Sequence, residues 1–335
     1  MAQIFLTENQ ATLGIDNGRF YIKHPDGSTE SVPFESADSI AVFGGAQVTT
    51  QAITECLMRG VPVQYYSQSG SYFGRLTSTS HINVTRQKAQ VHCTENAAFC
   101  LSFAQRVLGA KIRNQTTLLR RYARTQEKSI IPETNTMLAA VQAMKQADTV
   151  EKCMGHEGHA ARIYFQTLGA LVQPPDFRFT GRSRQPPLDA FNSMLSLGYT
   201  MLMNEVYGAL EAKGLNPYFG LIHADKEKHP TLASDLMEEW RAVIVDSTVM
   251  SLVNGKEVSP EMFYTHPERA GIFLNRDGLK VFIRKIEGKF AQSMQYLSYA
   301  AFPVTLRRAL FMQAGELCKA IEQGDPTLYS PVVIR

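Results

Sequence analysis

Residues 99–110 read FCLSFAQRVLGA, and their pattern sets the fold class of most of the chain. Apolar side chains recur at helical spacing, so Phe103 and Val107 fall on one face of a helix. Glycines and turn-forming pairs thin out from about Thr85 onward. The sequence therefore predicts an almost entirely α-helical domain over residues 89–335.

The residues before this region have the pattern of a β domain. Short apolar or alternating segments, ATLGI, GRFYIKH and the run Ser39–Phe43, are separated by the turn-forming triplets Asp-Asn-Gly and Pro-Asp-Gly. We predict a small β-rich domain over residues 1–80 and, in a polar stretch, a linker over residues 81–88. The fold class is therefore α+β.

One helix is expected inside the β-rich domain. Thr49 or Thr50 can cap its start, and Gly60 can close it. Extended runs follow at Val61–Tyr66 and around Tyr72–Leu76. The helix should pack on the sheet that these strands form.

Composition excludes several classes of protein. A chain of 335 residues exceeds the roughly 250 to 300 at which single cores stop growing, which favours two domains. The five cysteines form no CxxC pair, so a zinc ribbon or a disulfide scaffold is excluded and a reducing cytoplasm is expected. No export signal or membrane span is indicated. A net charge of +3 requires any nucleic-acid binding to use local patches.

The segment MGHEGHAARIYF, residues 154–165, contains the first candidate functional side chain, Glu157. A glutamate in the first turn of a helix is usually only a partner of the helix dipole. The flanking small residues, however, leave room for a metal or a phosphate to approach this carboxylate. A zinc-protease site would need a second histidine at position 160, which is alanine, so that class is excluded.

Two later segments add side chains of the same kind. LNPYFGLIHAD leads to His223, and a lone histidine after an apolar pair is more often a core residue than a ligand. LASDLMEEWR places Asp235 and Glu238 on one face of a predicted helix, although a helix cap would explain both acids equally well. Glu239 and Arg241 are expected on solvated faces. Two carboxylates and one imidazole together suit Mg²⁺ or Mn²⁺ with open water positions.

Basic segments are candidates for a substrate track. The loop FRFTGRSRQPP carries Arg178, Arg182 and Arg184 with two phenylalanines, a composition able to grip phosphates and stack on frayed bases. The alternative is a solvated loop whose phenylalanines are buried. Two helical clusters are more simply interpreted as solvated faces. They comprise Arg120, Arg121 and Arg124, and Arg284, Lys285 and Lys289.

At these residues the sequence resembles the family of CRISPR-associated protein one, the integrase of CRISPR adaptation. The matching motifs are the helix from Glu157 to Phe165, the arginine-rich loop with Pro186–Tyr199, the His223 segment and Asp-Leu-Met-Glu-Glu from Asp235. The resemblance implies Glu157, His223 and Glu238 as the metal ligands and catalytic residues, and Asp235 as a supporting acid. Some relatives carry aspartate where this chain has Glu238.

The resemblance also implies a reaction and partners. The 3′-hydroxyl of a captured double-stranded DNA fragment would attack a phosphodiester at the edge of a CRISPR repeat, with Mg²⁺ or Mn²⁺ as cofactor. Arg162 and the loop arginines would position phosphates. A homodimer joined through the β domains, and a complex with the small CRISPR-associated protein two, would follow.

Two other functions are compatible with the same residues. A metal-dependent nuclease acting on branched or single-stranded DNA in repair would use the same site with water in place of the 3′-hydroxyl. A non-catalytic helical scaffold that binds nucleic acid would need Asp235 and Glu238 only as caps.

Overall fold

A computed structural model describes residues 2–68, 70–79 and 82–335. These residues form two compact units, one made of the described residues up to 79 with Phe273–Lys280, the other of Ile82–Ile272 with Val281–Arg335. The first unit is rich in strands and the second is mostly helical, which confirms the predicted α+β class. The inclusion of Phe273–Lys280 in the first unit was not predicted.

The first unit contains two four-stranded sheets. One has the order β1-β5-β7-β8, parallel except for the last pair, and the other has the order β4-β3-β2-β6, antiparallel except for β2 with β6. The elements are β1 (Ala2–Leu6), β2 (Thr12–Asp16), β3 (Arg19–Lys23), β4 (Thr29–Pro33), β5 (Ala37–Phe43), β6 (Gln47–Val48), α1 (Thr50–Arg59), β7 (Val63–Tyr66) and β8 (Tyr72–Leu76).

Helix α1 begins and ends as predicted. The Thr49 side chain accepts a hydrogen bond from the Ala52 amide at 3.2 Å, and Gly60 ends the helix with a φ of 72°. Ala52 and Cys56 enter a core shared by both sheets. Strands β1 and β4 were not predicted, and β4 reads TESVP, whose polar side chains give no apolar alternation.

The second unit contains most of the helices. Its first helix begins inside the predicted linker, because the Asn83 side chain caps it by accepting a hydrogen bond from the Arg86 amide at 2.9 Å. The elements are α2 (Val84–Thr94), α3 (Ala97–Thr125), α4 (Ile131–Met144), α5 (Val150–Ala170), α6 (Ala190–Ala212), α7 (Thr231–Leu236), α8 (Ser247–Asn254), β9 (Phe263–His266), β10 (Arg269–Leu274), α9 (Arg276–Ala291), β11 (Ser293–Met294), β12 (Val304–Thr305) and α10 (Leu306–Gln323); β10 and α9 also contribute to the first unit.

Helix α3 is the centre of the helical unit. Asn96 caps it, and Phe103 and Val107 are fully buried on the predicted apolar face. One turn further on, the buried face becomes polar, with Lys111 and Asn114 almost inaccessible to solvent. In the described part of the chain, no helix is both long and apolar enough to cross a membrane.

The segment after α7 departs from regular α-helix. Helix α7 begins at Thr231, directly after Pro230, and the chain then makes a 3₁₀ turn at Glu238–Trp240 and a π-helical stretch at Arg241–Asp246 before α8. Asp235 therefore lies inside a helix, so the structure does not support the alternative that it caps one. Helical segments of the π type are found frequently at functional sites.

Candidate active site

Two of the predicted acids meet at a buried lysine. The Lys111 ammonium of α3 lies 2.6 Å from Oε1 of Glu157 and 2.6 Å from Oε2 of Glu238. The side chains of Lys111 and Glu238 are 9% and 5% exposed, and that of Glu157 is 18% exposed. The structure thus brings Glu157 and Glu238 together as predicted, around a cation that the sequence did not suggest.

Glu157 lies well inside helix α5. The helix begins at Val150, because Thr149 accepts a hydrogen bond from the Lys152 amide, so the predicted first-turn position of Glu157 is wrong. The interpretation as a helix-dipole partner fails with it, since that effect is confined to the first turn. A Cβ added at Gly155 or Gly158 would meet nothing within 4 Å, so the helix surface is open at both glycines. Room for a metal or a phosphate at the carboxylate itself stays a prediction.

Glu238 is held in its ionised form. Burial raises the pKa of this carboxyl, but the positive charges of Arg241 and Lys111 outweigh burial and bring the pKa to about 2. Arg241 approaches Oε1 at 3.1 Å, and among the described residues the buried Oε2 has no hydrogen-bond donor other than the Lys111 ammonium. A buried, ionised carboxylate with an uncommitted lone pair is suited to coordinate a cation.

Asp235 orients His223. Its buried carboxylate accepts hydrogen bonds from the Leu221 and Ile222 amides, both at 2.8 Å, and lies 2.6 Å from Nδ1 of His223. These partners lie in the loop before α7, so the capping interpretation of Asp235 is excluded. The bond from Asp235 raises the pKa of His223 against the opposing effect of burial, and it favours a proton on Nδ1. Nε2 is then the nitrogen free to act as an acceptor.

The ligand types of these side chains suit a divalent cation. Glu157 and Glu238 supply hard oxygen ligands that converge on one positive charge, and the charges of Glu238 and Lys111 act on His223. Within residues 2–68, 70–79 and 82–335, however, no three His, Cys, Asp or Glu side chains stand close enough together to hold a metal ion. The role of His223 as third ligand therefore stays a prediction.

A further buried acid lies among two tyrosines and two arginines. Asp246, at the end of the π-helical stretch, accepts hydrogen bonds of 2.6 Å from the hydroxyls of Tyr164 and Tyr199. Burial raises the pKa of Asp246 to about 6, although these hydrogen bonds oppose the rise. The guanidiniums of Arg182 and Arg241 lie over the Tyr199 ring, 5.3 Å and 5.1 Å from its centroid. This cluster ties α5, α6 and the π-helical stretch together, and sequence reasoning missed it.

The arginine-rich loop divides into bound and free side chains. Arg182 donates hydrogen bonds to the Asn192 and Ser196 side chains, both at 3.0 Å, and so fastens the loop to α6. Arg178 and Arg184 are exposed, as is Arg162 on α5. These three arginines remain accessible to a ligand, whereas Arg182 already has protein partners.

The two phenylalanines of the loop are not available to stack on bases. Phe177 and Phe179 are each 4% exposed. Phe177 packs against Phe263, with ring centroids 5.8 Å apart, and Phe179 packs against Phe191 at 4.5 Å. The alternative of buried phenylalanines is the one the structure supports, because their rings anchor the loop to the core.

A protein-family model described as CRISPR associated protein Cas1 matches residues 4–288. The chain belongs to the Cas1 family. The match spans most of the chain, including Lys111, Glu157, His223 and Glu238, and it confirms the resemblance found in the sequence.

Relatives and solved structures agree with this membership. The CRISPR-associated endonuclease Cas1 of Mycobacterium tuberculosis (strain CDC 1551 / Oshkosh) is 35% identical over 327 residues, which is 98% of this chain and 96% of the relative. The structure titled "Casposase bound to integration product" superposes with a TM-score of 0.86 at 20% identity, covering 100% of this chain and 96% of that chain. A chain of the "Cas6-RT-Cas1--Cas2 complex" gives a TM-score of 0.83 at 24% identity; the match covers 98% of this chain and 36% of that longer one. These likenesses show the Cas1 fold.

Proposed function

We propose that this Cas1 protein is a metal-dependent DNA-joining enzyme that inserts captured DNA fragments into a CRISPR array, with Glu157, His223 and Glu238 as its metal ligands. One observation carries the proposal: two carboxylates from distant segments each lie 2.6 Å from a single cation, Lys111. The imidazole of His223, which Asp235 holds at 2.6 Å, experiences the charges of Glu238 and Lys111. The casposase structure with this fold is titled as bound to an integration product, which supports joining as the reaction.

The reaction balances without an energy source. The 3′-oxygen of the captured strand forms a new bond to phosphorus, and the bond from that phosphorus to a 3′-oxygen in the target strand breaks. The proton lost by the attacking hydroxyl is balanced by the proton that the leaving oxygen takes up. A bound Mg²⁺ or Mn²⁺ would supply Lewis-acid activation and charge neutralisation at the phosphate.

The chain's own residues have three tasks in this scheme. Glu157 and Glu238 would bind the cation. Asp235 would hold His223 through Nδ1, which leaves Nε2 as the nitrogen that binds the cation. The exposed Arg162, Arg178 and Arg184 would neutralise backbone phosphates. Each phosphate contact of this kind makes the DNA affinity fall more steeply with salt concentration. Arg182 would act indirectly, by fixing the loop that carries its neighbours.

Hydrolysis is the second candidate outcome at the same site. The curated relatives are named endonucleases, which favours water as an alternative nucleophile. The small CRISPR-associated protein two is proposed as a partner because a Cas1–Cas2 complex contains a chain of this fold. Dimerisation through the β-rich unit remains a prediction from the family resemblance.

A strand-transfer assay tests the proposed function. The full chain, with the small partner protein, would be incubated with a labelled short duplex and a supercoiled plasmid that carries CRISPR repeats, in Mn²⁺, Mg²⁺ or EDTA. Label joined covalently to plasmid only with metal is the expected result. Nicking without joining would favour the nuclease, and binding without chemistry in either metal would favour a scaffold.

Lys111→Met is expected to raise the affinity for Mn²⁺ by about tenfold or more, because the ammonium and a divalent cation compete for the same two carboxylates. In the absence of metal the variant should be less stable than wild type by about 2–4 kcal/mol, since Glu157 and Glu238 lose a shared cation. Mn²⁺ titration followed by electron paramagnetic resonance, and the metal-induced rise in Tm, measure both effects without an activity assay.

Lys111→Arg is the matched control, because it keeps a cation beside both carboxylates. Its Mn²⁺ affinity should stay near that of wild type. Equal Mn²⁺ affinities for wild type and Lys111→Met would show that the metal does not bind between Glu157 and Glu238.

Asp235→Asn is expected to lower metal affinity and the rate of joining by about 10- to 100-fold. The amide cannot accept from all the Leu221, Ile222 and His223 donors at once, so Nδ1 of His223 loses its fixed protonation. Mn²⁺ titration and single-turnover joining would be measured together. Unchanged values in a folded variant would rule out a positioning role for Asp235.

A further inference from the structure

A basic cavity of about 600 Å³ lies between helix α8 and the C-terminal half of α9, within the helical unit. Helix α8 contributes hydroxyl groups and α9 contributes cationic side chains. The cavity is partly open to solvent. Its lining residues include Ser251, Glu257, Arg284, Lys285, Gly288 and Lys289.

The cations of this cavity outnumber its acids. Among the described residues that line the cavity, Glu257 is the one acid, and it pairs with the Lys285 ammonium. In the part of the chain that the structure describes, neither Arg284 nor Lys289 lies within 4 Å of a carboxylate oxygen. Two positive side chains therefore face the cavity without a protein counter-charge.

The Lys289 side chain lines the cavity and is partly buried. Burial lowers the pKa of its ammonium, and the positive charge of Arg121 on α3 lowers it further. A half-buried cation that also faces a like charge is costly unless something else neutralises it. Nothing in the cavity lining except Glu257 could do so, and Glu257 already serves Lys285.

The hydroxyl groups of α8 define where an acceptor could sit. The Ser247 and Thr248 hydroxyls donate within their own helix, to the carbonyls of Val243 and Ile244. The Ser251 hydroxyl, one turn further along the same lining, makes no hydrogen bond to the described protein. Its proton is available to an acceptor oxygen between the two helices.

We propose that this cavity is a phosphate site that takes a backbone phosphate of the DNA substrate, bound by Arg284, Lys289 and Ser251. Guanidinium, ammonium and hydroxyl donors in one recess are the groups that contact phosphodiesters in protein–DNA complexes. The inference deepens the proposed function and rests on it. It assigns a role to a cluster that the sequence alone favoured as a solvated face.

Gly288 provides the test variant. A Cβ added there would meet nothing within 4 Å, so a longer side chain is accommodated at the mouth of the cavity. In Gly288→Glu the new carboxylate lies one turn from Arg284 and Lys285 and places a negative charge where the phosphate would bind. Gly288→Gln is the matched control, since it has the same length without the charge.

The measurement is the affinity for a labelled short duplex across a series of salt concentrations, by fluorescence anisotropy without divalent metal. Gly288→Glu is expected to bind at least tenfold more weakly than wild type, with a salt slope reduced by about one to two. Gly288→Gln should bind like wild type.

The outcomes separate the two proposals. If wild type binds and joins DNA while Gly288→Glu keeps its affinity and salt slope, the cavity does not contact DNA and this inference is wrong although the function stands. If wild type neither binds nor joins DNA, the proposed function fails. Titration with inorganic phosphate forms the second arm: phosphate binding that Gly288→Glu abolishes, with DNA affinity unchanged, would make the cavity a site for free phosphate and overturn the DNA assignment.

Discussion

Glu157→Gln is expected to lower the rate of DNA joining by about 10³-fold or more while the protein stays folded and binds DNA. Glutamine preserves the length of the side chain but removes the negative charge that attracts a divalent cation, and loss of a metal ligand removes activation of the attacking oxygen. The substitution also leaves Lys111 with a single carboxylate partner, Glu238. Single-turnover strand transfer in Mn²⁺, with circular dichroism to verify the fold, measures the effect.

Glu151→Gln is the matched control for this experiment. Glu151 lies in the first turn of the same helix α5 and is exposed, so its loss should leave joining within about twofold of wild type. A Glu157→Gln protein that joins DNA within tenfold of the wild-type rate would remove Glu157 from the metal site. A Glu157→Gln protein that fails to fold would be replaced by Glu157→Asp, which keeps the charge and should retain part of the activity.

The parts of the site that sequence could find are those with a local chemical signature. Small residues around Glu157 indicated open space, and the helix surface is open at Gly155 and Gly158. Asp235 was expected to support the site, and it bonds to His223 at 2.6 Å. The order of motifs, rather than any single one, made the family recognisable, because each acid alone had a plausible structural explanation.

Lys111 was missed although a signal was present. It follows Phe103 and Val107 at steps of four, which places it on the buried stripe of α3. A lysine on such a stripe must be paired or neutralised, so it predicts a buried acid elsewhere in the chain. Its partners, Glu157 and Glu238, are 46 and 127 positions away, respectively (157 − 111 and 238 − 111), and no local pattern links them.

The irregular helix after Asp235 could not be predicted from periodicity. A 3.6-residue repeat places Glu239 and Arg241 on outer faces, and that prediction is wrong: Glu239 is fully buried and the Arg241 side chain is 18% exposed. The 3₁₀ turn and the π-helical stretch change the rotation per residue, so these side chains point inward.

The buried Glu239 side chain holds the C-terminal segment, residues 329–332, in place within the helical unit. Its carboxylate accepts hydrogen bonds from the Tyr329 hydroxyl at 2.7 Å and from the Val332 amide at 2.9 Å. Gln313 of α10 donates to the same carboxylate at 3.1 Å. Asn114 of α3 adds a second connection, because its amide donates to the main-chain oxygens of Glu239 and Val332.

Glu239→Ala is therefore expected to lower the free energy of unfolding by about 3–5 kcal/mol, since it leaves two buried donors, the Tyr329 hydroxyl and the Val332 amide, without their acceptor. Burial raises the pKa of Glu239 to about 8, above its unfolded value, so its stabilising contribution is present at low pH and is lost as pH rises through about 8. The deficit of the variant should consequently be larger at pH 6 than at pH 9. Urea unfolding at both pH values, followed by tyrosine and tryptophan fluorescence, measures it.

Glu95→Ala is the control for a glutamate-to-alanine change at an exposed position, because Glu95 is exposed at the end of α2. This substitution should lower the free energy of unfolding by less than about 0.5 kcal/mol. Glu239→Gln separates the effect of charge from that of shape. Its amide NH₂ group must face at least one of the three groups that donate to Glu239, so the variant should be less stable than wild type. Because an amide does not titrate, position 239 should contribute no pH dependence to the stability of this variant. Because Glu239 and Glu238 are adjacent in one 3₁₀ turn, loss of the C-terminal contacts should also weaken Mn²⁺ binding. A Glu239→Ala protein as stable as wild type at pH 6 would show that Glu239 is not needed to hold the C-terminal segment, and that the Asn114 hydrogen bonds and the buried Tyr329 and Ile334 side chains hold it instead.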